Sequence, residues 1–541
     1  MRHSVLAFVV IGACGAPQTE VFGVTPPRSS ARALAPAFVN KRDDAATDVV
    51  PHEVSVPTSD PEAPKAAIQA ARTISTTIHP TWIWARPRFD KGSMIGFFRP
   101  GQQLRKKGEA SGKDVQPCGG SWIEVEPAGF VCVGRFGVTE ELDAPQVSAA
   151  MRVPPKLAPL PYGYASSWGT PLYGRVPTEV EQKQVEGDVA GWQIRARSIR
   201  DKLAKGAVAP PPEFAIEPTA MPAFLEGGVA VPALLAGLDK RVGLRAGFAD
   251  GTRRLALLTA FKSGDRAFYL TSEHLIVPAD RVAPARPSLF GGTQIAPSDK
   301  DGAHLPLAWV RFQKVAAVVF SYDGEVATKT ETTLPYHARV ALAPTDVTIR
   351  SQRYYELTSP PEPLAAGRYL IKANDVSRAD AIAALPKGIA ESDVWSDVSL
   401  SRQTLVLYRG LVPFYATLVS TGSGGKGHVT PWGTYRVYQK HWSSRMSGPG
   451  RPSEDEGDAG DKPYNYDEVP YVQYLVGGIA IHAAWWHDGF GTPRSHGCIN
   501  VAPRDALYLF QNLEPALPEG WYGVAPGRAG LPVGSWVHIH G

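Results

Sequence analysis

Short apolar runs separated by Gly and Pro recur along the chain from residue 78 onward. Between 78 and 142, runs of strand length stand at 82–84, 95–98, 121–125 and 130–133, and each is followed closely by Pro or Gly. Runs of this length, bounded by turn-forming residues, predict β-strands rather than helices. Residues 78–142 are therefore predicted to form a small β-rich module.

The same pattern returns towards the C-terminus. Residues 403–408 and 411–420 predict two antiparallel strands joined by a tight turn. A short apolar run at 478–481 ends at His482, and residues 536–540 predict a closing strand. This part of the chain is thus predicted to be a second β-rich domain.

One helix is predicted inside this domain, over residues 503–513. Pro503 suits the first turn of a helix, and Asp505 complements the positive end of the helix dipole. The apolar positions recur at helical spacing. The predicted inner face comprises Ala506, Leu507, Phe510 and Leu513.

Two stretches carry weaker patterns. Residues 446–468 are polar and rich in carboxylates, and they predict a long loop. Residues 150–390 contain Pro-rich connections and strand-like runs at 255–278 and 310–322. They are interpreted as a mainly β accessory region with no evident chemistry.

Composition supports a folded, multidomain chain of mainly β class. At roughly 100–200 residues per domain, the 541 residues correspond to several domains. The hydrophobic fraction of 43% excludes disorder throughout, and 53 Gly with 49 Pro favour short strands and turns. The net charge of +4 comes without a concentrated basic stripe, so no nucleic-acid partner is expected.

The N-terminus has the pattern of an export signal. A basic start precedes an apolar run at 5–11 that is too short to span a bilayer as a mature helix. The segment ending at Cys14 resembles a lipobox, at which bacteria lipidate the Cys; an ordinary cleaved signal is the alternative. Residues 1–14 are therefore expected to be a lipoprotein-type signal peptide and 15–77 a flexible linker. The chain is expected to be exported to the cell envelope as a periplasmic lipoprotein, touching the membrane only through its lipidated N-terminus.

The four cysteines divide by position. Cys14 belongs to the signal. Cys118 and Cys132 lie in the module 78–142, at a spacing compatible with a disulfide in an oxidising compartment. Cys498 is left without an evident partner, and reactivity is the leading explanation for such a thiol.

The neighbours of Cys498 offer a way to activate its thiol. A thiol with a pKa of about 8.5 is mostly protonated at neutral pH, so acyl transfer needs an adjacent base. His482 ends a strand sixteen residues earlier, and one excursion of the chain would bring it beside Cys498. Gly497 leaves room for a carbonyl substrate, and its N–H and that of Cys498 are candidate oxyanion donors.

His482 followed by Ser495-His496-Gly497-Cys498 resembles the active-site signature of bacterial L,D-transpeptidases, which are peptidoglycan-remodelling cysteine enzymes. Other segments agree with the family, among them 430–435 and 491–494. The resemblance implies a β-sandwich with short helices as the catalytic domain over 393–540. The strand order of residues 78–142 resembles, through looser motifs, a small bacterial SH3-like β-barrel.

The resemblance also implies a reaction. In this family the thiolate attacks the carbonyl of an L-centre that precedes a D-residue in the stem tetrapeptide, the terminal D-residue leaves, and an acyl-enzyme forms. A side-chain amine of a second stem peptide then resolves the acyl-enzyme into a 3→3 cross-link. Water as the acceptor would make the enzyme an L,D-carboxypeptidase. Some relatives instead attach proteins to peptidoglycan or detach them. No cofactor or metal ion is implied.

Residue roles follow by position. Cys498 is the nucleophile, His482 is the general base, and His496 and Gly497 line the acyl and oxyanion site with Cys498. The backbone carbonyl of Ala483 orients the imidazole, where many family members have Ser or Gly.

Further positions are candidates for substrate binding. For Ser495 and His496 the alternative role is to shape the loop through hydrogen bonds. For Tyr471, Trp486 and His487 the alternative role is packing. Asn500 stands where some family members carry Arg, so recognition of the substrate tail is expected to differ. The candidates are Ser495, Asn500, Tyr471, Trp486, His487 and Arg494.

Two other functions compete with this interpretation. A metallopeptidase would use His482, His487, His496 and Cys498 as zinc ligands, but their spacing differs from the helical motif His-Glu-x-x-His. A non-catalytic cell-wall binding protein would rely on the SH3-like module, and the Cys–His pair argues against it.

Overall fold

The computed structural model describes residues 73–541 except 135–136, 141, 143–148, 156, 205–215, 217, 229–243, 297–301, 426 and 449–462. The predicted signal peptide, the lipidation site at Cys14 and most of the predicted linker lie outside the described residues. The described part is mainly β, as predicted. None of its helices is long and apolar enough to cross a membrane.

The N-terminal module is an antiparallel arrangement of short strands. They are β1 (Thr73–Thr76), β2 (Thr81–Trp84), β3 (Met94–Phe98), β4 (Leu104–Glu109), β5 (Ser121–Val125), β6 (Phe130–Val133) and β7 (Val138–Thr139). The module begins before residue 78, because Ile74 of β1 is fully buried in its core. A Cys118–Cys132 disulfide joins the segment before β5 to β6, with the Cα atoms 6.2 Å apart. The SH3-like identity of this module stays a prediction.

A β-rich region with two helices follows. Its elements are β8 (Gly163–Ser167), β9 (Thr170–Tyr173), α1 (Glu179–Glu186), α2 (Val189–Ala204), β10 (Pro218–Thr219), β11 (Arg245–Ala249), β12 (Arg253–Ser263), β13 (Arg266–Thr271), β14 (Ile276–Pro278), β15 (Val282–Pro284) and β16 (Thr293–Gln294). Neither of these helices is predicted from the sequence. A capping box between Thr178 and Glu181 starts α1, a signal that the sequence does contain.

Residues 307–379 form a separate sheet, called here the accessory sheet. Its strands are β17 (Leu307–Val310), β18 (Ala317–Tyr322), β19 (Ala327–Leu334), β20 (Arg339–Ile349), β21 (Gln352–Leu357), β22 (Tyr369–Lys372) and β23 (Val376–Ala379). Their order in the sheet is β19-β18-β22-β21-β20-β17-β23. All neighbours are antiparallel, which agrees with the prediction of a mainly β accessory region.

The C-terminal domain, which is predicted to be the catalytic domain, is a β-sandwich with one packed helix. Its elements are β24 (Val394–Ser399), β25 (Thr404–Arg409), β26 (Val412–Ser420), β27 (Gly433–Arg436), β28 (Gln439–Gly448), β29 (Tyr464–Val476), β30 (Ile479–Ala483), β31 (Ile499–Val501), α3 (Pro503–Asn512), β32 (Gly523–Val524) and β33 (Trp536–His540). β26 pairs with β25 in one layer and with β31 in the other, so it joins the two layers. Leu407, Ile481, Leu509 and Val537 share one core between the layers and α3.

The predicted loop over 446–468 is wrong at both ends. β28 and β29 form a long hairpin in which Ser447 pairs with Asn465 and Gly448 with Tyr464. The alternation of tyrosines and polar residues at 464–466 belongs to a strand. Residues 449–462, the middle of that predicted loop, lie outside the described residues.

Two consecutive carboxylates of β29 anchor the parts that precede the catalytic domain. Arg253 of β12 places Nη2 3.1 Å and Nε 3.2 Å from Oδ2 of Asp467. Arg99, which follows β3, donates from both terminal nitrogens to the two carboxylate oxygens of Glu468, each over 2.9 Å. Strand pairing reinforces both contacts, since β12 pairs with β29 and β3 with β32.

Candidate active site

His482 and the Cys498 segment are brought together by two parallel strands. β30 and β31 pair so that His482 lies opposite Asn500. Residues two apart along an extended chain share a face. Cys498 immediately precedes β31 and stands two residues before Asn500, so the two side chains share a face. Cys498 also packs in one cluster with Ala480, which is two residues before His482 on β30. The base and the nucleophile assigned from the sequence therefore lie on one face of this strand pair.

The His482 ring is buried and held in one tautomer. The side chain is 2% exposed, and Nδ1 lies 3.0 Å from the carbonyl oxygen of Ala483. Because a carbonyl only accepts, Nδ1 carries the proton and Nε2 keeps its lone pair. Burial lowers the pKa of His482 to about 4, although the Ala483 carbonyl opposes this shift. The ring is therefore neutral at pH 7 and able to accept a proton at Nε2.

Cys498 is 1% exposed at the start of β31, and its Sγ lies 3.9 Å from the carbonyl oxygen of Gly478. Val472 and Tyr474 of β29 pack in the same cluster, so β29 forms the floor beneath the sulfur. Acyl transfer requires the reduced form of this cysteine, because the thiolate is the nucleophile.

Ser495 organises the loop that carries the nucleophile. Its Oγ donates to the carbonyl oxygen of Cys498 over 2.5 Å and accepts the Gly497 N–H over 3.0 Å. Thr430 completes the loop by donating from Oγ1 to the Gly497 carbonyl oxygen over 2.8 Å. Ser495 is buried and turned into the loop, which supports the loop-shaping alternative over substrate binding. The Gly497 N–H that was assigned to the oxyanion is already engaged.

Gly497 is required here by its backbone conformation and by close neighbours. Its φ of +125° lies in the region that favours glycine. A Cβ at this position would stand 2.8 Å from Cδ1 of Ile479 and 3.1 Å from the carbonyl oxygen of Val429. The glycine thus allows the loop to pack against β30, which differs from the substrate-access role expected from the sequence.

Asn500 and His487 form a polar pair beside His482. Nδ2 of Asn500 lies 3.1 Å from Nε2 of His487, while Nδ1 of His487 accepts the Gly489 N–H over 3.1 Å. Burial, with a smaller effect from the charge of Arg494, lowers the pKa of His487 to about 4, so the ring is neutral at pH 7. The amide oxygen of Asn500 is a buried acceptor without a hydrogen-bond partner among the described residues.

Aromatic rings line the approach to this pair. The Trp486 ring centroid lies 5.9 Å from that of His482 and 4.4 Å from that of Tyr466. The His496 ring lies 5.1 Å from Tyr464 and 4.3 Å from His428. Tyr464, Tyr466 and His428 are absent from the sequence-based candidates. The Tyr-x-Tyr alternation was the available signal, because it places both rings on one face of a strand.

Two candidates for substrate binding end up in different settings. Tyr471 is fully buried, donates its hydroxyl to the Ala158 carbonyl oxygen and packs against Phe510, with the ring centroids 5.3 Å apart. Its assignment to substrate binding is wrong, because no surface of the ring is open. Arg494 is exposed on the loop before Ser495, with Nε 3.4 Å from Oγ1 of Thr492.

The accessory sheet contacts the loop 484–494, called here the active-site loop. The Tyr336 hydroxyl donates to the carbonyl oxygen of Asp488, and lies 3.2 Å from that of Phe490. Ser377 Oγ lies 3.5 Å from the carbonyl oxygen of Gly491. The sheet therefore fixes the outer side of the loop whose inner side holds His487.

Two of the residues considered as zinc ligands bond to other groups, His482 to a carbonyl and His487 to an amide. Across the described ranges, no group of three or more His, Cys, Asp or Glu side chains is placed to hold a metal ion.

Residues 393–539 match the model of the YkuD family, described as the L,D-transpeptidase catalytic domain. Solved structures similar to this chain include a mutant L,D-transpeptidase from Enterococcus faecium, at 21% identity over 27% of this chain and 50% of that chain, with a TM-score of 0.20. An L,D-transpeptidase from Xylanimonas cellulosilytica is 21% identical over 29% of this chain and 64% of that chain, with a TM-score of 0.18. One from Mycobacterium smegmatis is 16% identical over 37% of this chain and 99% of that chain, with a TM-score of 0.21. The chain thus spans between half and two thirds of the first two proteins. No curated protein sequence matches the chain.

Proposed function

Since residues 393–539 are an L,D-transpeptidase catalytic domain of the YkuD family, we propose that the chain is a peptidoglycan L,D-transpeptidase acting through an acyl-enzyme on reduced Cys498. The pairing of β30 with β31 carries this proposal, because it puts His482 and the Cys498 segment on one face. The neutral His482 ring, with Nδ1 held by Ala483, supplies the free lone pair that the chemistry needs.

The first half-reaction begins with transfer of the Cys498 thiol proton to Nε2 of His482. The thiolate attacks the carbonyl carbon of the L-centre that precedes the terminal D-residue of a stem tetrapeptide. The tetrahedral intermediate then collapses, the C–N bond breaks, and the leaving amine of the D-residue takes the proton from His482. A thioester on Cys498 and a free D-amino acid result.

The second half-reaction restores the enzyme. The side-chain amine of a second stem attacks the thioester carbonyl, His482 accepts a proton from that amine, and the sulfur leaves and is reprotonated. The product is a 3→3 cross-link. Hydrolysis by water and transfer to a protein amine follow the same path with another acceptor.

The unpartnered amide oxygen of Asn500 supports a role in holding the donor peptide. A buried acceptor without a partner among the described residues gains a hydrogen bond when a substrate N–H approaches. The Gly497 N–H is bound to Ser495, so the oxyanion would draw its donor from the Cys498 backbone. The aromatic rings of Trp486 and Tyr466 form the apolar side of the groove.

The decisive experiment incubates reduced full-length protein with a defined disaccharide-tetrapeptide and follows both protein and product by mass spectrometry. We expect an acyl adduct on Cys498, loss of one D-residue and a dimeric muropeptide. A Cys498→Ser variant, compared at equal folded fraction, should give neither adduct nor dimer. Dimer formation by that variant, or no adduct on folded reduced wild-type protein, would contradict the proposal. A monomeric tripeptide product instead identifies the carboxypeptidase reaction.

Export to the cell envelope, with lipidation of Cys14, belongs to the same proposal. The apolar run at 5–11 and the lipobox-like segment before Cys14 support it. Metabolic labelling with a radioactive fatty acid should label the wild-type chain and leave Cys14→Ser unlabelled. Equal labelling of both would disprove lipidation at this residue.

A further inference from the structure

Arg311 stands at the end of β17, an interior strand of the accessory sheet, and has no ion-pair partner among the described residues. It follows β17, and its backbone N–H donates to the carbonyl oxygen of Asp375 over 3.1 Å. The guanidinium carbon lies 5.1 Å from the centroid of the Phe312 ring. Nε is buried and has no hydrogen-bond partner, and within the described ranges no carboxylate forms an ion pair with this side chain. Burial alone lowers the pKa of Arg311.

Arg311 lies directly against the active-site loop. A Cβ on Gly491 would stand 3.4 Å from Cβ of Arg311 and 3.4 Å from Oγ of Ser377. Gly491 has a φ of +94°, and its N–H donates to the carbonyl oxygen of Val419 over 2.9 Å. The loop is thus pinned between β26 and the accessory sheet. Arg311 stands at the outer side of the segment that leads to Cys498.

Arg494 is a second cation on the same loop. Its side chain crosses Gly489 so closely that a Cβ there would stand 1.9 Å from Nε. Its positive charge reaches the active site, because it contributes, after burial, to the lowered pKa of His487. Within the described part of the chain no carboxylate forms an ion pair with Arg494. Two arginines that form no ion pair with a described carboxylate therefore border one loop.

A partly desolvated guanidinium without an anion is costly, so a site of this kind favours an anionic ligand. Arg binds carboxylates through two parallel hydrogen bonds, which adds geometric selectivity to the charge. The donor in the proposed reaction is itself an anion. It ends in the carboxylate of the leaving D-residue, and acidic residues of the stem carry further carboxylates.

Resting on the proposed function, we propose that Arg311, assisted by Arg494, binds a carboxylate of the stem tetrapeptide. The accessory sheet is then part of the donor site as well as a support for the active-site loop. Arg311 acts as a specificity-determining residue, since it selects peptides that carry the carboxylate. The carboxylate is either the terminal one, beside the scissile bond, or an internal one of the stem.

The test measures binding rather than turnover, so that it stands apart from the chemistry of Cys498. Full-length Cys498→Ser protein is titrated calorimetrically with a synthetic stem tetrapeptide as the free acid, as the terminal amide, and with its internal carboxylate amidated. We expect one of the two amides to bind more weakly than the free acid by a factor of about 10–100, in line with the loss of a charge-assisted hydrogen bond. The weaker amide identifies the carboxylate that is bound.

Adding Arg311→Gln should weaken binding of the free acid by a similar factor and abolish the difference between acid and amide. Arg350→Gln, in the turn between β20 and β21, is the matched control and should bind all three peptides like the parent. Because Arg311 has no carboxylate to lose, the melting temperature of Arg311→Gln should not fall. Equal binding of acid and both amides by the parent, or unchanged discrimination in Arg311→Gln, would overturn the inference.

The two proposals fail in different ways. If wild-type protein forms no acyl adduct while Arg311 still governs carboxylate binding, only the transpeptidase reaction is wrong. If cross-linking proceeds and Arg311→Gln leaves the preference for free acid intact, only the inference on Arg311 is wrong.

Discussion

Arg99 and Glu468 form a buried, bidentate ion pair that joins the N-terminal module to β29 of the catalytic domain. Arg99 is 0% exposed and stacks 4.3 Å from the centroid of the Tyr522 ring. Ser443 Oγ donates to the same carboxylate, whereas Nε of Arg99 is buried without a hydrogen-bond partner among the described residues. Val469, the next residue of the strand, belongs to the same apolar cluster as Cys498.

Removing one partner of this pair should destabilise the whole chain. Arg99→Met leaves the Glu468 charge buried without its counter-ion, and such losses cost about 3–5 kcal/mol. Chemical denaturation of the full-length protein, followed by tryptophan fluorescence, measures the change. Arg105→Met removes an arginine of the same module that pairs at the surface with Glu519, and should have little effect. A similar loss of unfolding free energy in both variants would show that the buried pair contributes no more to stability than the surface pair.

The same pair predicts a loss of stability in acid. Burial alone would raise the pKa of Glu468, but the charge and hydrogen bonds of Arg99 outweigh it and lower the pKa to about 2. The depressed pKa means that the stabilisation is complete above about pH 4.5 and is lost as pH falls towards 2. Denaturation curves between pH 5 and 2.5 should show this decline. In Glu468→Gln, which cannot ionise, the decline should be smaller, and an identical slope would contradict the assignment.

The rate of acylation should depend on His482 in a defined pH range. Burial lowers the pKa of His482 to about 4, so the ring is neutral and able to accept a proton throughout the neutral range. Protonation of this ring should therefore not lower the single-turnover rate of acylation until the pH approaches 4. His482→Ala should slow acylation at pH 7 by about 10²–10⁴-fold. A near wild-type rate in this variant would remove His482 from the role of base.

Gly497 provides a steric test of the nucleophile loop. Gly497→Ala places a methyl group 2.8 Å from Ile479 and demands a positive φ from a residue that disfavours it, so the loop and Cys498 must shift. We expect acylation to fall by about tenfold or more, as for other displaced catalytic groups. Gly425→Ala is the control, because a Cβ at that position has no atom within 4 Å. Equal activity of the two variants would mean that the loop tolerates the added group.

A substitution at Tyr471 tests whether this residue supports the fold or contacts the substrate. Tyr471→Phe removes only the hydroxyl that donates to the Ala158 carbonyl oxygen, inside a fully buried site. Loss of that bond should cost about 1–3 kcal/mol of stability, because it leaves a buried acceptor unsatisfied. The Kd for the tetrapeptide should stay unchanged. A weaker Kd without loss of stability would restore the sequence-based assignment.

The catalytic domain was the most predictable part because its signals are local. The apolar run ending at His482, the helix beginning at Pro503 and the closing strand at Trp536–His540 all appear where the pattern places them. The reactive pair follows from residue types and the motif around Cys498.

The remainder depends on contacts between distant positions. Asp467 and Glu468 look like loop residues in the sequence, because the arginines that neutralise them stand more than 200 residues earlier. Tyr471 was misassigned for the same reason, since Ala158 covers its hydroxyl. The place of the Gly497 N–H depends on the rotamer of Ser495, which no sequence pattern specifies.

The adjacent carboxylates Asp467 and Glu468 also determine how this protein can be divided. A fragment beginning at residue 393 would keep both acids in the interior of β29 while discarding Arg253 and Arg99. It would also expose the edge of β32 that β3 now covers. Such a fragment carries every residue of the reacting pair and is still expected to fold poorly. The smallest unit suited to biochemistry therefore starts near Thr73, not at the boundary of the matched family domain.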